Sequence, residues 1–103
     1  MAAHSAFELE VLRRVADDYA APDRIAEAIW EETGRPTSEA EVRRTLLLLA
    51  QTGLVQAYVY DESWRIYDPH GYEPVSDAEA SVAADPWFMA TTAGRAEIAR
   101  HAY

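Results

Sequence analysis

Apolar positions recur along the chain first at helical and then at strand spacing. Leu9, Leu12, Val15, Ala16 and Tyr19 share one helical face, which predicts a first helix running to about Tyr19. Ser5 and Glu8 stand at its start with the spacing of a capping box, a hydroxyl for a free amide and a carboxylate reaching back. Pro22 suits the first turn of a second helix, whose apolar face is Ile25, Ala26, Ile29 and Trp30. Thr33-Gly34-Arg35-Pro36 ends it. Ser38 and Glu41 repeat the capping spacing before a third helix with the stripe Val42, Leu46 and Leu49, closed by Gly53.

The period then drops to two. Val55, Ala57 and Val59 alternate with Gln56, Tyr58 and Tyr60, which predicts a strand with one face toward the core. Asp61-Glu62-Ser63 reads as a turn, and Trp64 to Tyr67 as a short return strand. From about 68 to 86 no periodicity survives, and acids, prolines and small residues predict a long acidic loop. Trp87 to Ala90 reads as a closing strand, and Thr91 caps a last helix that carries Ile98 and ends near Tyr103. The expectation is one domain over 1–103, mainly α with a small antiparallel β-hairpin, in the order α-α-α-β-β-α.

Two stretches resemble bacterial winged helix-turn-helix regulators of the PadR and MarR type. One is Val42-Arg43-Arg44-Thr45-Leu46, continuing through Leu49 to Gly53-Leu54-Val55, similar to a recognition helix that runs into the wing. The other is Ala90-Thr91-Thr92-Ala93-Gly94-Arg95-Ala96-Glu97, similar to the Leu-Thr-x-x-Gly-Arg-x-Glu signature after the second wing strand, with Ala90 in place of the leucine. The resemblance implies a winged helix whose wing loop is long and acidic. It also implies a transcription regulator that binds double-stranded DNA as a homodimer. In that role Arg43 and Arg44 would enter the groove, Thr37 and Ser38 would hold phosphate, and Arg65 would touch the backbone from the wing.

Charge pulls the other way. Eighteen acids face nine bases, all arginine, for a net charge of −9 over 103 residues. Between Arg35 and Asp68 four arginines meet five acids, where a DNA face should be clearly positive. The third helix also carries Leu47 and Leu48 off its core stripe, and the strand leaves Tyr58 and Tyr60 on its second face. Such a surplus marks a homodimer or protein-partner interface, or a surface covered by the acidic loop or the last helix. The alternative function is therefore a winged-helix protein-interaction module that does not bind DNA.

Enzymatic chemistry is not expected. The chain has no cysteine, and His4, His70 and His101 stand far apart in sequence, so neither a metal site nor a cofactor is predicted. Trp30, Trp64 and Trp87 read as core packing. No apolar run approaches a membrane span and the N-terminus does not resemble an export signal, so the expected location is cytoplasmic.

Overall fold

A computed structural model describes residues 4–101. Five helices surround one face of a three-stranded antiparallel sheet. Helix α1 (Ala6–Arg14) opens with the expected capping box, both Ser5 and Glu8 bonds being present. It ends five residues before Tyr19, with Val11, Leu12 and Val15 as its core face. The chain then runs extended beside the sheet. Ala20 exchanges backbone hydrogen bonds with Phe88 at 2.9 and 3.0 Å, and Ala90 donates to the Val15 carbonyl at 2.8 Å.

Helix α2 (Pro22–Thr33) buries Ile25, Ala26 and Ile29, but Trp30 points outward, 55% exposed. Helix α3 (Glu39–Gln51) buries the stripe Val42, Leu46 and Leu49 as the spacing predicts, with Thr45 added. Its end is a Schellman turn. Gly53 has φ +80°, and the amides of Gly53 and Leu54 return to the carbonyls of Ala50 and Leu49.

Strand β1 (Val55–Tyr60) is central, flanked by β2 (Tyr72–Val75) and β3 (Trp87–Ala90). The register pairs Tyr60 with Tyr72 and Tyr58 with Trp87. Two expectations are corrected here. Trp64 to Tyr67 is no strand: Glu62–Ile66 is a 3-10 turn, started by Asp61 accepting from the Ser63 amide. The segment 68–86 is no open loop either. It supplies β2 and then helix α4 (Asp77–Val82), which has its own capping box between Ser76 and Glu79. The two-stranded hairpin is therefore a three-stranded sheet with an inserted helix.

Helix α4 packs on both α3 and β1, and Ala80 is fully buried between them. Helix α5 (Thr92–Arg100) is capped by Thr91 as expected and rests against α1. Tyr103, the expected end of the last helix, lies outside the described residues. The core joins Leu12, Ile29, Leu46 and Leu49 to the inward face of the sheet, where Phe88 is its largest wholly buried side chain. None of the three tryptophans is a buried core residue, contrary to their composition-based reading.

Candidate functional site

Five residues were singled out for DNA, and the fold fixes what each one can offer. Ser38 is the N-cap of α3, its hydroxyl oxygen accepting from the Glu41 amide at 3.1 Å. The reciprocal half of the expected box is missing, because the Glu41 carboxylate turns to Arg35 at 2.7 Å. Thr37 is buried, and its hydroxyl donates to the Arg35 carbonyl at 2.9 Å. The Thr37 hydroxyl is thus spent inside the fold, whereas Ser38 is exposed and its hydroxyl hydrogen has no acceptor among the described residues.

Arg43 is committed inside the molecule. One guanidinium nitrogen donates to the carbonyls of Ala83 and Ala84 at 2.9 and 3.2 Å, strapping the α4–β3 connection across α3. Its Nε is buried without a hydrogen-bond partner, 3.6 Å from Glu39. A guanidinium donating to carbonyls in a partly dry setting is costly to withdraw, since both carbonyls would lose a charge-assisted bond. Arg44, one residue on, is exposed and has no ion-pair or hydrogen-bond partner among the described residues. Arg65 lies on the 3-10 turn, its guanidinium 3.1 Å from the Tyr60 hydroxyl and 6.0 Å from that ring's centre. The five residues thus do not converge. Only Arg44 presents an uncommitted charge on the outer face of α3.

The four interface residues separate similarly. Leu47 is half-buried against the core on the helix that α4 covers, whereas Leu48 remains 52% exposed. The segment 68–86 therefore folds back on α3, one of the two outcomes open from the sequence. Tyr58 and Tyr60 do share the outer sheet face, but not with Trp64 and Tyr67, which pack on each other at 4.6 Å. Tyr60 instead meets Tyr72 of β2, the ring centres 5.9 Å apart. Tyr19 caps the group, stacked on Tyr72 at 4.0 Å and edge-on to Tyr58 at 4.9 Å, and Trp87 meets Tyr72 at 5.4 Å. Burial raises the pKa of the Tyr19, Tyr58 and Tyr72 phenols, and the Asp68 carboxylate adds to the effect at Tyr19 and Tyr58.

A groove that sequence reasoning missed lies between α2 and the start of α3. Its cavity of about 460 Å³ is bordered by Asp23, Glu27, Glu31 and Glu39, with Ala26 and Trp30 forming the apolar wall. A second depression of about 280 Å³, which shares Trp30 and Thr37 with the first, adjoins Pro36 and Glu41. The signal was present in the four-residue spacing of Asp23, Glu27 and Glu31, which places three carboxylates along one ridge of α2. Assigning Trp30 to the core hid it.

The fold also joins residues from the two ends of the chain. His4 and His101 both approach Glu97, at 3.9 and 3.0 Å, and Glu8 lies 3.4 Å from His4. Among the described residues no group of three or more ligating side chains has the arrangement to hold a metal ion. Nor is any helix among them long and apolar enough to cross a membrane. No protein-family model, curated protein or solved structure matches this chain.

Proposed function

We propose that this chain is a protein-interaction module built on a winged-helix-like layout, acting by binding rather than by catalysis. In this reading α2 and α3 are the helix-turn-helix pair and β1 and β3 the wing strands. The segment from the 3-10 turn through α4 is then an insertion that folds back on α3.

The observation that carries the reading is Arg43. One of the two arginines that the resemblance places in a DNA groove is spent on the carbonyls of Ala83 and Ala84. Around it the start of α3 offers Glu39 and Glu41, and the insertion beside it adds Asp77 and Glu79 at its own first turn. Duplex DNA would have to approach carboxylates while gaining little beyond Arg44, and phosphate contacts supply most of such affinity.

The transcription-regulator reading keeps one specific support. Its two motifs meet in space: the Thr91 hydroxyl donates to the Gly53 carbonyl at 2.7 Å, joining the end of α3 to the start of α5. That contact supports the layout and not the use made of it. Fluorescence anisotropy of a labelled mixed-sequence duplex, titrated across a salt series, separates the two readings. The module reading expects no binding even at low salt. Binding that weakens steeply with salt and disappears in Arg44→Ala would establish the regulator instead.

A further inference from the structure

The groove beside Trp30 sets an exposed indole among four carboxylates. The indole is a large apolar side chain, 55% exposed on a well-formed helix, and the cavity it walls measures about 460 Å³. Every charged side chain bordering that cavity is a carboxylate. Asp23, Glu27 and Glu31 succeed one another at four-residue spacing on α2, where like charges repel and weaken the helix. Glu27 and Glu31 have no ion-pair partner among the described residues. Asp23 serves the first turn of α2, where it accepts from the Arg24 amide, but no local bond accounts for Glu27 and Glu31.

We propose that the groove receives an arginine side chain from a basic segment of a partner protein. This rests on the interaction-module reading and names the partner's chemistry. A cation over an indole face is attracted by the ring quadrupole, and tryptophan is the best ring for it. Carboxylates along the rim then take the guanidinium N–H groups. Arginine fits better than lysine because its flat head can stack on the ring and fork a carboxylate together.

The chain contains the same arrangement a short distance away. Arg35 lies over the Phe7 ring at 4.2 Å while its guanidinium bonds Glu41 at 2.7 Å, and Glu41 borders the second depression that Trp30 lines. The net charge of −9 selects against nucleic acid and anionic lipid and draws a basic segment in.

The test uses the full chain, ¹⁵N-labelled, titrated with a synthetic Arg-Gly-Ser repeat peptide and with its citrulline counterpart. Citrulline keeps the shape and removes the charge. The Trp30 indole N–H resonance should move with the arginine peptide and stay still with the citrulline one. By calorimetry, Trp30→Ala should weaken binding roughly tenfold. Glu27→Gln/Glu31→Gln should weaken it and flatten its salt dependence. Both sets of side chains are solvent-facing, so circular dichroism should show both variants folded.

An unmoved indole, or equal binding of the two peptides, overturns the proposal. So does a dimer that dissociates in Trp30→Ala or Arg44→Ala, because the occupant would then be a second copy of the chain. Failure here is distinguishable from failure of the module reading, which is decided by duplex binding and not by the peptide.

Discussion

Gly94 lies against the backbone of Leu54 with no room for a side chain: a Cβ at Gly94 would collide with the Leu54 carbonyl oxygen and crowd Ala90. The same oxygen accepts from the Thr91 amide at 3.0 Å, so the first turn of α5 sits directly on the turn that ends α3. Glycine is required here for close approach and not for its φ. Gly94→Ala is expected to cost about 3 kcal/mol, because backbone, unlike the tip of a flexible side chain, cannot move aside cheaply. A thermal melt checks it, and a variant as stable as the parent would mean that α5 is held more loosely than described.

Leu47 and Leu48 are neighbours with opposite surroundings. Leu47→Glu would bring a carboxylate against the core and should cost about 2 kcal/mol or more. Leu48→Glu, on the open side of α3, should change stability by no more than about 0.5 kcal/mol. Urea midpoints for the pair decide it. Equal effects would mean that Leu47 does not pack against the core.

How much of this was legible in the sequence follows from how much each segment buries. The helices α1, α2 and α3 each repeat an apolar position over several turns, and the pattern located all three. The Ser5 and Thr91 caps were legible because they are local hydrogen bonds. Strand β2 and helix α4 escaped because each is short and contributes little to the core, α4 a single wholly buried residue, Ala80. Their stability comes from docking on α3 and β1, which no short window of sequence contains. Arg43 illustrates the same limit at the site. Its place on the outer side of the Val42–Leu46–Leu49 stripe was readable, but its partners are carbonyls forty residues away, and carbonyls leave no mark in sequence.

Arg43→Ala should therefore act first on stability. Two carbonyls lose a charged donor, and a cost of about 1–3 kcal/mol is expected. Hydrogen exchange in native conditions should accelerate in the α4–β3 connection while α1 keeps its protection. If stability and exchange match the parent, the strap does not hold in solution.

The tyrosine cluster predicts alkaline sensitivity. Burial raises the folded-state pKa of Tyr19, Tyr58 and Tyr72 above that of an unfolded tyrosine, so the folded state retains phenolic protons that the unfolded state releases. The neutral phenols' contribution is fully present below the unfolded value of about 10 and is lost as pH rises through the folded values. Denaturation midpoints taken from about pH 8 upward should fall beyond about pH 10. Tyr58→Phe should reduce that fall, and a profile with the same slope in both proteins would count against the cluster as its source.

The proposed module reading turns on Arg43, which is held by the insertion and so withdrawn from any DNA-reading face of α3. An amide chemical-shift map of the labelled chain, recorded while mixed-sequence duplex is added at low salt, reads that face residue by residue. The account predicts that the amides from Ser38 to Leu48, and those of the turn carrying Arg65, keep their positions throughout. Progressive shifts confined to those two stretches, reversed by added salt, would contradict it and restore the DNA-reading role.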